Sequence, residues 1–529
     1  MPSRYRIVTP ARRAATWRIL TLFLVAVYAG LALEAPPDVV PDAARGFMVW
    51  QSMQRGTPFN VVREPDPRDI SQDTESFMTW WTPGQYAVPA WFTVLRLDLG
   101  QAILATVILC TLAGLAGGYV LFTSLGFRPD VAAASVSIIA AWRYVSLSFR
   151  TYTGGEVLLF GFAPWAIYVA LKCRDLRPRG VLALILITLA GIFLKSAFVV
   201  CAVAMLLALG VIRVLEHRAT SAYFAKLAAC LIAPCAVYYV AFGRLGSTPA
   251  GLYAESQKGV FGLLFAVSTP LFAATSVSDL VNRVLLSPAA PRIGVPGQLW
   301  PLFLAGAPAA VLCYVQVLRR SPGTLYRGVL SGFLLTYVSV FGVLYLFGAA
   351  VGTDDRYFRP PALLVVPGLL HAVSALRFKA ARAAAFGIIG ALALYGPVSY
   401  GTHWPAHRRN PVGRLGFSHD EISRDALSRL TALDRGTTPG SVFYVPSPGL
   451  ALELQRARTI APNALFENDS TLRGRAYHGR VGTLVVAVPA SLGANRTEAI
   501  LTSFRDYRRD QWIRESSGDY VFFSQAAAR

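Results

Sequence analysis

Pro41-Asp42-Ala43-Ala44-Arg45-Gly46-Phe47 follows the first long apolar segment of the chain. It opens a loop that runs from about residue 35 to residue 85 and carries seven acidic residues against four arginines. The rest of the chain is mostly apolar or basic. A long acidic loop next to a bilayer needs a reason, and a catalytic site is the leading interpretation.

The composition is that of a membrane protein. Of the 529 residues, 54% are apolar and 15% are charged, which is little charge for a soluble protein of this size. Apolar stretches of about 18 residues or more recur along the chain, and a helix of that length crosses a bilayer. The first stretch follows five arginines and lacks a small-residue cleavage site after it, so it is predicted to be an anchor and not a cleaved signal.

Eleven transmembrane helices are predicted, and their connecting segments alternate in charge. The segments on one side hold 19 Lys or Arg and three acids, which is the bias typical of cytoplasmic loops. The net charge of +21 is therefore explained by topology, and we expect no nucleic-acid partner. The predicted spans are 17–34, 99–125, 131–148, 156–172, 180–195, 197–213, 226–243, 300–318, 328–350, 360–376 and 384–401.

This topology places the N-terminus in the cytoplasm and the C-terminal segment outside. Residues 1–401 are predicted to form a membrane domain with exterior loops 35–98, 244–299 and 351–359, in which 86–97 and 261–272 lie in the interface. Residues 402–529 alternate short apolar strands with helices and predict a small exterior α/β domain. An Arg- and Ala-rich composition favours a bacterial inner membrane. All six cysteines lie in spans or at the cytoplasmic edge, so no disulfide framework is expected.

Asp42 is the first candidate for chemistry. It lies just outside the first span, where burial raises a carboxylate pKa and a nearby cation lowers it, so the site can adjust the strength of a base. The alternative is structural, because Asp after Pro41 and before a helix is a good N-cap. Asp38 is the competing carboxylate.

Three stretches together resemble the GT-C superfamily of integral-membrane glycosyltransferases. They are Pro41-Asp42 with Gly46-Phe47 and Gly56, then Thr82-Pro83-Gly84-Gln85-Tyr86, and finally Thr353-Asp354-Asp355-Arg356-Tyr357-Phe358-Arg359-Pro360. The family places an essential Asp in the first exterior loop, a Pro-rich aromatic stretch before its second membrane segment, and a late Arg-Tyr-x-x-Pro element. The predicted topology is also similar to that of the family.

The resemblance implies a glycosyltransferase that moves a hexose or pentose from a polyprenyl-phosphate donor to an exterior glycan, lipid or protein, with inversion. Asp42 would be the general base, with Asp38 as its alternative. A departing phosphate needs cations, and Arg can hold phosphate through two hydrogen bonds. Lys195, Arg356 and Arg244 are the candidates. Their structural alternatives are snorkelling to the interface for Lys195, a local salt bridge for Arg356 and lipid headgroup contact for Arg244.

Aromatic and acidic residues of the loops supply further candidates. Trp80, Trp81 and Tyr86, with Tyr357 beside Arg356, are candidate sugar-binding residues, although aromatics at a bilayer edge also serve as anchors. No metal site is assigned. A divalent cation, Mg²⁺ or Mn²⁺, is a possible cofactor because carboxylates suit it, but a solvated face explains the same acids more simply. These acids are Asp66, Asp69, Asp73 and Glu75.

Two other functions compete with catalysis. A transporter or flippase predicts charged residues near the middle of several spans and a repeat between the two halves of the chain, and the spans are almost free of charge. A non-catalytic scaffold for envelope assembly would bind through the exterior domain and would tolerate loss of Asp42.

Overall fold

A computed structural model describes residues 9–78, 82–243, 259–280, 300–349, 351–438 and 440–526. Within these ranges, eight helices are long and apolar enough to cross a membrane, and three shorter apolar helices accompany them. A small domain with a five-stranded sheet follows the helices. The predicted fold class, a helical membrane protein with an α/β C-terminal domain, is confirmed.

The helices of the first part bury their apolar side chains against one another in a single large core. Their bounds are α1 Pro10–Glu34, α2 Pro41–Gln54, α3 Gly84–Thr93, α4 Leu99–Ser124, α5 Pro129–Ala140, α6 Arg143–Ser148, α7 Gly155–Lys172, α8 Pro178–Leu194, α9 Phe198–Leu215, α10 Ser221–Tyr238, α11 Gly259–Ala274, α12 Trp300–Arg319, α13 Thr324–Leu346, α14 Arg359–Ser374, α15 Lys379–Ala393 and α16 Tyr395–His407.

Two predictions about these helices are wrong. The predicted span 131–148 is broken between α5 and α6, because Trp142 leaves the helical conformation and buries its indole, which donates to the Ala274 carbonyl at 3.2 Å. The segment 261–272 was expected to lie in the interface. It forms α11, which packs against α12, α13 and α14 and buries Phe265 completely, so it belongs to the helix bundle.

The first long loop contains strands as well as helices. Two strands, β2 Val61–Asp66 and β3 Asp69–Phe77, form an antiparallel hairpin. Two short strands of two residues each, β1 Asp38–Val39 and β4 Thr151–Tyr152, pair in parallel. This pairing connects the first loop to the segment before α7. These pairings fix the position of α2, which begins immediately after β1.

The C-terminal domain contains the sheet, in the order β6-β5-β7-β9-β8, with β6, β5 and β7 parallel and the last two strands antiparallel. The predicted alternation of short strands with helices in residues 402–529 is present. Ile70 of the hairpin is fully buried in the core of this domain, so the first loop and the domain pack together. Its elements are α17 Arg424–Gly436, β5 Val442–Tyr444, α18 Pro448–Ala451, β6 Arg458–Ile460, α19 Asp469–Arg473, β7 Thr483–Pro489, α20 Ala494–Ser503, β8 Ile513–Ser517 and β9 Tyr520–Ala526.

Candidate active site

Helix α2 positions Asp42 at the end of the bundle that faces the C-terminal domain. Pro41 occupies the first helical position, where its missing N–H costs no hydrogen bond. The N-cap is Val40 and makes no side-chain hydrogen bond, so Asp42 does not cap this helix. Phe47 is fully buried on the opposite side of the helix, and the Gln51 amide donates to the Leu452 carbonyl at 3.0 Å. Asp42 itself is exposed, so its carboxylate is free to meet a ligand.

Two of the predicted phosphate-binding cations meet at one carboxylate. Lys195 and Arg356 both contact Glu156, Lys195 through an ion pair and Arg356 at 3.6 Å between Nη1 and Oε1. The Lys195 side chain is only 20% exposed, and a buried ammonium needs an anionic partner. Lys195 therefore does not snorkel, and the two cations converge on one point although they are more than 150 residues apart in the chain.

A pair of glycines allows this convergence. Gly154 has φ of +69°, in the region that favours glycine, and a Cβ there would lie 2.8 Å from the Gln85 side-chain oxygen. A Cβ on Gly155 would lie 3.0 Å from the Lys195 stem. Because α7 begins at Gly155, the Lys195 stem lies directly over the N-terminus of that helix. The same turn points Glu156, in the first turn of α7, toward the ammonium.

The loop before α14 holds Arg356 in place. Arg356 Nε lies 3.0 Å from an Asp354 carboxylate oxygen, and an Nη2–H donates to the Tyr357 hydroxyl at 3.3 Å. The local salt bridge that was the structural alternative is therefore present beside the contact with Glu156. Behind it, Arg359 is almost fully buried between Asp355 and Asp279. This buried network anchors the loop, and the Arg356 side chain stays 30% exposed and within electrostatic range of Asp42.

The surroundings adjust the protonation of Asp42. Partial burial raises the pKa of Asp42 above its ordinary value, and Arg356 opposes that shift. Glu156 raises the same pKa and Lys195 lowers it, so all four groups lie within electrostatic range of one another. Burial likewise raises the pKa of Asp354 to about 6, against the effect of Arg356. A carboxylate with a raised pKa and two nearby cations has the properties of a general base beside an anion site.

Asp38 has a different environment. Its backbone is paired with Thr151, and its Oδ1 accepts from the Val39 amide at 2.6 Å. Burial raises the pKa of Asp38 well above its ordinary value, and the neighbouring Asp420 and Glu421 raise it further. The acids beside Asp38 and the two cations beside Asp42 give the two competing candidates different electrostatic surroundings.

The other predicted substrate residues are less central. Tyr86 is 2% exposed and its hydroxyl donates to the Asn60 side chain at 2.9 Å, so it has a packing position and presents no ring face to a sugar. Tyr357 lies against Arg356, whose guanidinium carbon is 5.1 Å from the ring centroid. Trp80, Trp81 and Arg244 lie outside the described residues.

The hairpin acids proposed as ligands for a divalent cation are spread along β2 and β3. Glu75 pairs with Arg63 and Asp73 pairs with Arg458, while Asp69 accepts from Ser71. Across the described parts of the chain, no group of three or more His, Cys, Asp or Glu has a metal-binding arrangement. The Asp73 pair joins the hairpin to the C-terminal domain, whereas the Glu75 pair joins the two strands of the hairpin to each other.

Glu156 is the functional candidate that the sequence interpretation did not include. Its signal was present, because a lysine at the end of an apolar span requires an anionic partner and acids near span ends are few. Arg359, Asp355 and Asp279 were also missed as a buried network. Together these groups place one exposed carboxylate next to two cations at the end of a helix bundle.

No protein-family model and no curated protein matches the sequence. Solved structures do match. The chain resembles the archaeal oligosaccharyltransferase AglB from Archaeoglobus fulgidus, solved with an inhibitory peptide and a dolichol-phosphate, with a TM-score of 0.53, 12% identity, and coverage of 91% of this chain and 70% of that one.

Two structures of ArnT from Cupriavidus metallidurans match over nearly the full length of both chains. The one bound to undecaprenyl phosphate gives a TM-score of 0.52 at 12% identity, and the apo one gives 0.52 at 14%, each covering 97% of this chain and 98% of that chain. At these identities the likeness concerns the fold. This chain therefore shares its overall fold with AglB and ArnT.

Proposed function

We propose that this chain, folded as a GT-C protein, is a membrane glycosyltransferase that moves a sugar from a polyprenyl-phosphate donor to an acceptor hydroxyl. The observation that carries the proposal is the grouping of Asp42 with Lys195 and Arg356 around Glu156. A base and an anion site within range of each other are what transfer from a phosphate-linked sugar requires. The solved neighbours, one with undecaprenyl phosphate and one with a dolichol-phosphate, support a lipid-linked donor.

In the proposed reaction, Asp42 accepts the proton of the acceptor hydroxyl. At the same time, the oxygen of that hydroxyl bonds to the anomeric carbon of the donor sugar. The bond between that carbon and the phosphate oxygen breaks, and the electron pair leaves with the phosphate. Lys195 and Arg356 neutralise the departing charge, and a guanidinium can do so through two hydrogen bonds. Attack from the face opposite the leaving group inverts the configuration of the sugar.

Glu156 has a preparatory role in this scheme. Without a lipid phosphate, it holds Lys195 and Arg356 close together despite their mutual repulsion. The donor phosphate then takes over part of that interaction. The site is thus organised before the donor binds, which reduces the reorganisation needed during reaction.

The proposal also covers location and partners. We propose that the active site faces the exterior of a bacterial inner membrane and that the acceptor is a cell-envelope glycan, lipid or protein; the excess of Lys and Arg in the segments of the opposite side supports this orientation. A requirement for Mg²⁺ or Mn²⁺ is a separate prediction, checked by transfer assays with and without EDTA.

The experiment compares two amide substitutions in the full-length protein reconstituted in nanodiscs. Asp42→Asn is expected to reduce transfer from a polyprenyl-phosphate sugar by about 10²- to 10⁴-fold, the contribution typical of a general base. Asp38→Asn is the matched control and should retain most activity, because Asp38 faces Asp420 and Glu421, whereas the proposed phosphate-binding cations lie near Asp42. Undecaprenyl phosphate binding should survive both changes. Full transfer activity in Asp42→Asn would falsify the assignment of the base.

A further inference from the structure

We propose that a cavity between the first loop and the C-terminal domain binds the acceptor as a neutral, hydroxyl-rich saccharide. The cavity has a volume of about 700 Å³, within the usual range for small-molecule sites. This inference rests on the proposed function and names the chemical class of its acceptor. We call it the interdomain cavity, lined by Arg45, Glu64, Asn463, Glu467, Arg475 and Tyr477 among others.

The charges on the cavity wall cancel. Arg45 pairs with Glu64 on the side of the first loop, and Arg475 pairs with Glu467 on the side of the C-terminal domain. These four are the charged residues that line the cavity within the described part of the chain. A phosphate or carboxylate ligand would find no excess positive charge there. A neutral ligand that both donates and accepts hydrogen bonds fits such a wall, because carboxylates accept from hydroxyls and guanidinium groups donate to them.

Unsatisfied acceptors on the wall point to the same class of ligand. Asn463 Oδ1 and Glu467 Oε2 are buried and have no hydrogen-bond partner among the described residues. Leaving a buried acceptor unpaired costs free energy, so a partner that donates hydrogen bonds is favoured. Glu467 keeps 19% of its side chain exposed and can turn its carboxylate toward a ligand. Arg475 Nη1, on the same wall, is a buried donor without a partner among the described residues. The wall therefore favours a ligand that both donates and accepts, as sugar hydroxyls do, whereas a phosphate dianion only accepts.

The cavity is close to the proposed base. Arg45, in its wall, lies three residues after Asp42 on α2, and side chains at that spacing are neighbours on a helix with Cβ atoms about 5–6 Å apart. The Arg45 guanidinium also donates to the Ala461 carbonyl, which fixes the cavity wall relative to α2. A saccharide held between the hairpin and the C-terminal domain can therefore present its terminal hydroxyl at Asp42.

The test measures saccharide binding separately from transfer. Full-length protein in nanodiscs is mixed with neutral tetrasaccharides of glucose, mannose, galactose or arabinose, and with mannose 6-phosphate as the charged probe. Binding is read by saturation-transfer difference NMR. Ala476→Trp blocks the cavity from an exposed wall position, and Ala494→Trp places the same side chain on an exposed position of the same domain outside the cavity wall.

Wild type, Ala494→Trp and Asp42→Asn are expected to bind at least one neutral probe, whereas Ala476→Trp should lose at least about tenfold in affinity. Glu467→Gln should weaken binding without lowering undecaprenyl phosphate affinity. The proposal is overturned if wild type binds no neutral probe, if it prefers mannose 6-phosphate, or if Ala476→Trp binds like wild type. The role of Asp42 as base fails separately, through transfer by Asp42→Asn, and leaves the binding result intact.

Discussion

Asp38 and Asp42 lie four residues apart on either side of Pro41, yet their carboxylates meet opposite surroundings. Asp42 is exposed and lies within range of two cations, Lys195 and Arg356. Asp38 is confined by a strand pairing and faces two further acids, Asp420 and Glu421. Burial raises the pKa of both groups, so the difference between them comes from their charged neighbours and their access to a ligand.

The comparison teaches that the fold assigns different tasks to adjacent carboxylates through distant parts of the chain. The cations near Asp42 come from the end of α8 and the loop before α14, while the acids near Asp38 come from the segment that leads into α17. The first is an arrangement for chemistry. The second groups acids at a contact between the first loop and the C-terminal segment, where the Ser418 amide donates to the Pro37 carbonyl at 3.2 Å.

The largest effect on transfer activity is expected from removing Arg356, one of the two cations near Asp42. Arg356→Met deletes a guanidinium that faces the proposed phosphate site and should lower kcat/KM for the lipid-linked donor by about 10²-fold or more, the loss typical of a preorganised donor in an active site. Arg356→Lys should recover part of the lost kcat/KM, because lysine restores the positive charge but not the bidentate hydrogen bonding of a guanidinium. Initial rates in nanodiscs at varied donor concentration measure both.

Arg150→Met is the matched control for this prediction. Arg150 is half-buried and lies within electrostatic range of Asp420 and Asp38, so it is the cation on the other side of the comparison. Its loss should leave donor kinetics near the wild-type level. Equal losses of kcat/KM in Arg356→Met and Arg150→Met would mean that the donor phosphate does not bind preferentially at Arg356.

A smaller effect is expected from Glu156→Gln. Without the carboxylate, Lys195 and Arg356 repel each other with no anion between them, so the lipid-free protein should melt at a lower temperature. Undecaprenyl phosphate should then bind more tightly than in wild type, on the order of tenfold or about 1.4 kcal/mol, because it no longer competes with Glu156. Thermal shift with and without the lipid measures both changes.

Glu34→Gln serves as the control for Glu156→Gln, since Glu34 is 56% exposed and pairs with an exposed Arg408. It should change neither melting temperature nor lipid affinity by much. If Glu156→Gln binds undecaprenyl phosphate no more tightly than Glu34→Gln does, Glu156 does not occupy the position proposed for the phosphate.

Local patterns predicted much of this arrangement, because the long apolar helices and the helix after Pro41 depend on residues close in sequence. Lys195 could be found since a lysine at the end of an apolar run is costly without a partner. Its partner Glu156 could not be chosen by pattern alone, because the pairing depends on the close approach of Lys195 to Gly155.

Elements whose burial depends on distant segments were missed. The hairpin of β2 and β3 has no regular alternation of apolar residues, and Ile70 is buried only because the C-terminal domain receives it. The break at Trp142 likewise depends on a hydrogen bond to Ala274, far along the chain. The separation of Asp38 from Asp42 has the same origin, since Asp420 and Glu421 are remote in sequence from both.

The smallest expected effect is on the pH dependence of stability, and it comes from Glu421, one of the acids near Asp38. Burial raises the pKa of Glu421 to about 7 from an ordinary value of 4.5, with Asp420 adding to the shift and Ser447 opposing it. The folded state therefore binds a proton that the unfolded state has released, so stability is full below about pH 4.5 and falls as pH rises toward 7. The loss is at most about 3 kcal/mol.

Glu421→Gln should remove this dependence. Its melting temperature should change less than that of wild type between pH 4.5 and 7.5, while Glu498→Gln, at an exposed carboxylate of the same domain, should follow the wild-type profile. Asp38→Asn should flatten the profile in the same direction, because burial raises the pKa of Asp38 as well. If Glu421→Gln and wild type have the same profile, burial does not raise the pKa of Glu421 in solution, and the contrast with Asp42 rests on the cations alone.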